Sequence, residues 1–427
     1  MMAIQFSRTR WQKYLLLALA LILVVMMLVQ KARYQRADAQ ATTLQCTSGP
    51  TFNLTATDGH ITMPDGNSIY MWGFADDDGS GEFQMPGPTL CVNEGDTVTV
   101  NLTNDLAEPV SVVFPGQANV AAALVSGAGN NGLFTLEANP GDTVSYSFTA
   151  AMPGTYLYES GSAPHKQVQM GLYGGLIVRP ALGATYAYND PTTAFNPNEE
   201  YLLLLHEIDP FLHQAVERGE AYEISQYHPH YWTINGRAFP DAIYDNNVPW
   251  LPYQPYGSLV TVEAHAADSG QLPALVRYAS ASVTNHPFHP HGNHQRMIAR
   301  DGRLLQGPLG EDIAMEDFTT DVGSGQTFDM LVEWVDIEAW DPVTNRIPAE
   351  IPGDYNLVIK DDQALYSNSP YLGEKNDLRI PSIVDFNVCG EYYFPWHSHA
   401  LDEVQNFDEG FGGMLTLWRI DPPGGCQ

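Results

Sequence analysis

Positive charge is scarce in this chain. Its 427 residues hold 19 Lys and Arg against 50 Asp and Glu, a net charge of −31. Such a surface disfavours nucleic acid and anionic substrates, and attracts metal cations and cationic ligands. Solubility alone is an equally good reason for it. Cysteine is also sparse: Cys46, Cys91, Cys389 and Cys426. Their spacing fits no zinc site. All four follow the N-terminal apolar segment, and an oxidising compartment would permit one or two disulfides among them. Four cysteines allow three pairings; Cys46 and Cys426, at the two ends of the main body, make a plausible staple. The chain has no low-complexity tract, and its first half has no long amphipathic helix.

Only one long apolar run exists, the 16 residues from Tyr14 to Val29. Arg8, Arg10 and Lys13 precede it, and Lys31, Arg33 and Arg36 follow it. The run reads as an N-terminal hydrophobic helix over residues 1–36, either a retained signal anchor or a cleaved signal peptide. It is slightly short for a bilayer span of about 17–25 residues, which Trp11 and Tyr14 at the interface would extend. Ala37-Asp38-Ala39 is a cleavage candidate, badly placed behind three basic residues. The flanking charges balance, so they set no orientation. Acidic residues begin only after Arg36, which leaves 13 basic residues to face all 50 acidic ones. An exported, extracytoplasmic body at the membrane or secreted from it is the expectation.

Glycine at 37, proline at 30 and tyrosine at 22 favour an all-β chain. Residues 37–50 read as a linker, 51–180 as a first β body, 181–200 as an interdomain connection, 201–421 as a second body and 422–427 as a tail. In the first body, Thr97–Leu102 and Thr143–Phe148 alternate apolar and polar residues. The turns Asn93-Glu94-Gly95-Asp96 and Asn139-Pro140-Gly141-Asp142 precede them. Leu172–Val178 is a short apolar strand. Strand expectations in the second body are Tyr201–Leu205, Ser258–Glu263, Thr327–Trp334, Tyr355–Ile359 and Met414–Ile420. Residues 335–354 and 361–380 look like inserted loops. Two bodies of this kind suggest two sandwiches or barrels. They resemble a diverged repeat too weakly for the sequence to establish one.

The 13 histidines are unevenly spread. Four fall in Asn285-His286-Pro287-Phe288-His289-Pro290-His291-Gly292-Asn293-His294, and two in Pro395-Trp396-His397-Ser398-His399. In an extended strand, side chains two apart share a face. His289 with His291 and His397 with His399 therefore form two same-face pairs, and the pairs facing each other make a four-imidazole cage. Imidazole suits copper, zinc, iron and nickel. His206, His213, His228 and His230 suggest no partner, and core or surface roles are the simpler reading.

These segments resemble the multicopper oxidase superfamily. His286-Pro287-Phe288-His289-Pro290-His291-Gly292 is similar to the family's H-P-x-H-x-H-G, and Phe394–Met414 resembles its terminal H-C-H segment with the later G-M at Gly413-Met414. Pro86-Gly87-Pro88-Thr89 with Val92–Asp96, then Pro153–Tyr158, Gly171–Val178 and Tyr231–Arg237 resemble further family segments. The resemblance runs over residues 80–420. It implies two cupredoxin-like Greek-key domains, a type 1 copper bound by His, Cys, His and often Met, and a trinuclear centre bound by four H-x-H pairs. It also raises the expectation of a homotrimer, in which neighbouring subunits share copper sites.

The departures from the pattern carry the chemistry. Two H-x-H pairs are missing: Val113-Phe114-Pro115-Gly116 and Glu159-Ser160-Gly161 stand in their places. Ser398 stands at the type 1 cysteine and Glu403 at a type 1 histidine, while His286 and Met414 remain. A hydroxyl replaces thiolate poorly as the soft ligand of electron transfer. The metal candidates are therefore His289, His291, His397, His399, His286 and Met414, with Glu159 as a substitute carboxylate and His165 in reserve. One or two copper ions are expected rather than four. Three functions follow: an oxidoreductase with a reduced copper site acting on a metal ion or small-molecule reductant; a non-catalytic copper-binding protein for storage, delivery or sensing; and a metal-free cupredoxin scaffold.

Overall fold

The computed structural model describes residues 42–76, 82–335, 392–407, 409–421 and 423–425. The N-terminal apolar segment, the expected strand Tyr355–Ile359, the inserted loops beyond 335, Cys389 and Cys426 lie outside the described residues. Among the described residues no helix is long and apolar enough to cross a membrane.

Strands dominate, as expected, and the alternating segments form them. Thr97–Asn104 and Thr143–Thr149 bury every second residue, the period-two pattern of a sheet with one face on the core. The turns before them need a left-handed residue, supplied by Gly95 at φ 90° and Gly141 at φ 82°. Leu172 lies outside its expected strand, which runs Tyr173–Arg179. The strand expected at Thr327–Trp334 is broken into Thr327–Val332 and Trp334–Val335.

Four large sheets make two sandwiches. In the first body, one sheet orders Thr47–Ser48, Leu90–Asn93, Tyr173–Arg179, Gly154–Ser160 and Val112–Val113. It packs on a sheet ordered Ser68–Asp76, Thr51–Thr62, Thr97–Asn104, Thr143–Thr149 and Ala121–Ser126. Phe74, Val100, Tyr146, Tyr158 and Leu176 fill the space between them. The second body repeats this plan. Val260–His265, Leu415–Asp421, Tyr392–Ser398 and His286–Pro290 stand in the order of Leu90–Asn93, Tyr173–Arg179, Gly154–Ser160 and Val112–Val113. Each neighbouring pair keeps its orientation: parallel, antiparallel, antiparallel in both bodies. The other two sheets match as well, with a parallel pair flanked by antiparallel ones. The two bodies are thus a structural repeat, which their divergent sequences conceal.

The bodies are joined through buried charge. Arg277 of the second body is fully buried and donates to Glu200 (2.7 Å), to Asp329 (3.2 Å) and to Thr155 of the first body (2.9 Å). Thr155 and Tyr188 donate to the two oxygens of Asp329, and Arg179 donates to Glu200 at 2.6 Å. The connecting segment after 180 is packed rather than loose: Ala187, Tyr188 and Phe195 are buried against Leu275, Ile298 and Leu331.

The disulfide expectation needs correction. Cys46 bonds to Cys91, not to Cys426. Thr47–Ser48 pairs in parallel with Leu90–Asn93, Ser48 opposite Cys91. This short added strand brings the two Cα atoms within 5.5 Å, inside the range a disulfide spans.

Candidate metal centre

The antiparallel strands His286–Pro290 and Tyr392–Ser398 set His289 directly opposite His397. Beyond them, His291 N–H donates to the Pro395 carbonyl (2.9 Å) and His399 N–H to the Pro287 carbonyl (2.7 Å). These bonds continue the ladder and draw all four rings onto one face. Ring centroids lie 4.8 Å apart for His289–His291, 5.0 Å for His291–His397, 5.1 Å for His289–His399 and 5.8 Å for both His289–His397 and His397–His399. His397 is buried, His289 half-buried, and His291 and His399 are exposed.

Two rings have their metal-binding edge fixed. His289 Nδ1 faces the Phe318 carbonyl and His397 Nδ1 faces the Ser398 carbonyl, at 2.7 Å for the latter. A carbonyl only accepts, so each Nδ1 carries the proton and each Nε2 keeps its lone pair. Such carbonyl-held tautomers are the usual support of a metal-ligating histidine. Partial desolvation where its ring meets the cluster, and then the neighbouring His397, His289 and His399, push His291 down to about 4. Burial also lowers His397 against its bond to Ser398, with His289 and His399 adding to the effect. Both shifts favour the neutral imidazole of His291 and His397, the form that binds metal.

His291 and His397 meet through their outer ring nitrogens at hydrogen-bond distance. His291 Nε2 and His397 Nε2 are 2.9 Å apart. No three His, Cys, Asp or Glu side chains among the described residues converge as a complete metal cage. Among the described residues the arrangement is one close imidazole pair flanked by two further imidazoles.

His286 and Met414 are not part of this group. His286 is fully buried, with Nδ1 2.8 Å from Glu403 Oε2 and Nε2 3.4 Å from Glu207 Oε2. Burial alone would lower its pKa, but the two carboxylates outweigh it and raise it to about 9. Burial would raise Glu207, but bonds from His286 and Thr284 hold it down at about 2. Glu207 also accepts from Tyr227 at 3.1 Å and from the Val283 N–H at 3.0 Å. An imidazolium between two carboxylates has no lone pair to give a metal. Met414 is buried beside this triad, and its backbone meets Ser398 (3.0 Å) and Glu403 (2.9 Å). The residues that the resemblance assigns to type 1 copper thus do meet, but around a salt-bridged triad with no thiolate. They do not fit that copper.

Glu159 and His165 lie in the first body. Glu159 sits opposite Val113 and Tyr173 in its own sheet, and burial raises its pKa. His165 is exposed in the short helix Pro164–Gln167. His206 and His213 are fully buried and pushed down to about 4 by that burial. His228 and His230 pack ring to ring at 4.9 Å. Glu207 escaped notice in the sequence. Its signal is a carboxylate within Glu200–Ile208, a strand buried at every position, where an acid needs a partner.

Residues 58–182 match the family described as Multicopper oxidase. An L-ascorbate oxidase of Cucurbita pepo var. melopepo is 29% identical over 58% of this chain and 43% of its own length. A copper-containing nitrite reductase of Neisseria meningitidis serogroup B is 36% identical over 29% of this chain and 28% of its own. The chain thus spans less than half the length of these relatives. In fold, a blue copper oxidase from Nitrosomonas europaea aligns at TM-score 0.56 and 19% identity, covering 88% of this chain and 86% of that one. The multicopper oxidase mgLAC aligns at 0.56 and 18%, covering 88% and 87%. Residues 58–182 thus match the multicopper oxidase family, and the two like-wired β-sandwiches share the fold of the solved copper oxidases.

Proposed function

We propose that this protein binds copper through His289, His291, His397 and His399, one or two ions per chain, and works as an oxidoreductase with a reduced, non-standard copper site. A metal ion or a small-molecule reductant is its expected donor. The observation that carries the reading is the 2.9 Å approach of His291 Nε2 to His397 Nε2, with the far nitrogen of His397 tied to a carbonyl. Bound copper would supply one-electron redox chemistry. The protein's own part is to hold His289 and His397 in the ligating tautomer and present the four rings on one open face. An extracytoplasmic location, membrane attachment through the N-terminal segment and assembly as a homotrimer complete the proposal.

A second reading is non-catalytic copper binding for storage, delivery or sensing. The Glu207–His286–Glu403 triad supports it, because His286 and Glu403 stand at positions that the resemblance assigns to the family's electron-entry copper. Copper per chain, measured on the full-length protein and on H397A/H399A, tests both readings. Near-stoichiometric copper that the double variant loses supports a working site. Turnover of a phenolic, ferrous or manganous donor then decides between the two. A protein that stays metal-free after copper loading overturns both and leaves the scaffold.

A further inference from the structure

A cavity of about 260 Å³ opens where the start of strand Ser68–Asp76 in the first body meets the helix Pro210–Glu217 of the second. The helix turns one stripe towards it. Pro210, His213, Gln214 and Glu217 line the cavity at the three- and four-residue spacing of a single helix face. Tyr70, Phe211, Tyr231 and Phe407 add four aromatic rings to the lining. The Phe407 ring lies 5.9 Å from Tyr231, 6.4 Å from Phe211 and 4.8 Å from His230, centroid to centroid. Phe407 takes a left-handed φ of 48°, which a bulky residue rarely adopts. Its N–H donates to the His230 carbonyl at 2.9 Å and holds it there. Phe211 is 54% exposed, so this wall presents an open ring.

The charge around these rings is acidic. Glu217 lines the cavity with one oxygen 3.0 Å from His60 Nε2. Asp65 accepts from the Tyr231 hydroxyl (2.7 Å) and from the Asn67 N–H (3.0 Å) and amide (2.9 Å). Tyr70 donates to Asp58 at 2.6 Å. Burial, that bond and the charges of Asp58 and Glu217 push the Tyr70 hydroxyl up to about 12, against the opposing bond from Trp72. No Lys or Arg is among the described residues that line the cavity. Its one lining histidine, His213, is fully buried, donates from Nδ1 to the Tyr70 carbonyl at 2.7 Å, and is pushed down to about 4 by burial. It is therefore neutral and brings no positive charge.

We infer that this cavity binds a small organic ammonium ion, a quaternary or alkylated amine. The combination of rings and acids selects the class. Aromatic faces attract a cation through their quadrupole, and the carboxylates add attraction of the same sign. A neutral apolar molecule would use the rings and leave the acids idle. A metal ion would use the acids and leave the rings idle. An anion would be repelled. None of the cavity's lining residues is a copper candidate, so this inference goes beyond the proposed copper chemistry and stands or falls apart from it.

The test is saturation-transfer difference NMR of tetramethylammonium on the full-length protein in nonionic detergent, with ionic strength held constant by sodium chloride. tert-Butanol, a neutral molecule of similar size, is the control probe. The expected result is transfer to the tetramethylammonium methyls that saturates in the millimolar range, and none to tert-butanol. F211L/E217Q should bind tetramethylammonium about tenfold more weakly. Leu keeps the apolar bulk of Phe211 and removes its ring face. Both positions are exposed, so the variant should fold, which circular dichroism checks. If it does not, E217Q alone takes its place, with an expected loss of about threefold. No transfer to tetramethylammonium, or equal transfer to both probes, overturns the cation site. Undiminished binding in the variant puts the cation elsewhere and overturns the assignment to this cavity.

Discussion

The two bodies have the same wiring and different chemistry at the same spot. Val113 opposite Glu159 in the first body stands where His289 opposite His397 stands in the second. The likeness extends outward from that pair. Gly116 and Gly292 both take left-handed φ, at 85° and 89°, and each lies against an aromatic ring, Tyr156 in one body and Phe394 in the other. The frame that positions four imidazoles in the second body is therefore present in the first without its ligands. A Cβ added at Gly161, the counterpart of His399, would stand 2.6 Å from Val113 Cγ1 and 3.0 Å from Ser111 Oγ. The first body has closed over the space a ligand there would use. The backbone plan alone does not hold metal; the side chains hung on it decide.

The sharpest way to break this comparison is to empty the second body. H397A/H399A should lower copper per chain at least about tenfold, since loss even of a ligand's outer hydrogen-bond partner costs about that much, by metal analysis after dialysis. Retained copper would mean that the metal sits elsewhere.

The buried triad comes next. E207A leaves His286 and Glu403 as a broken buried network, and should cost about 3–5 kcal/mol in urea unfolding. The pH dependence follows from the shifts. His286 is raised from 6.5 to about 9, so its contribution is complete below about 6.5 and is lost as pH rises through 9. Glu207 is lowered from 4.5 to about 2, so its contribution is complete above 4.5 and is lost as pH falls through 2. The triad should stabilise most between these limits, and urea midpoints for E207A should show a smaller alkaline decline than the wild type, since Glu403 still faces His286. An unchanged decline would assign it to other groups.

In the first body, C46S/C91S opens a loop of 45 residues' separation and should destabilise the fold by about 2–4 kcal/mol. It should leave copper content unchanged, since the bond lies in the sandwich that lacks the four-imidazole group. The smallest effect belongs to Glu159. If one chain holds the metal alone, E159Q changes copper content by less than about twofold, within the scatter of near-neutral substitutions. A larger loss would show that the first body of a neighbouring copy lends its carboxylate.

Much of this was legible in the sequence. The period-two strands 97–104 and 143–149 announce themselves because one face is buried and the other wet. The two H-x-H pairs are legible for the same reason, since alternation fixes a shared face. What escaped is what depends on distant partners. Cys46 pairs with Cys91 only because a two-residue strand is added in parallel at the sheet edge. Glu207 joins His286 from a strand 79 positions earlier, and nothing local marks an acid that a remote imidazolium will neutralise. The repeat is visible in strand order and direction, which tolerate substitutions that erase sequence likeness.

Electron paramagnetic resonance of the copper-loaded full-length protein tests the central claim most directly. The account predicts a Cu(II) signal with imidazole nitrogen couplings, no thiolate-copper character and no intense blue absorption, and loss of that signal in H397A/H399A. A thiolate-type copper spectrum, or an imidazole signal that survives in the double variant, would contradict it.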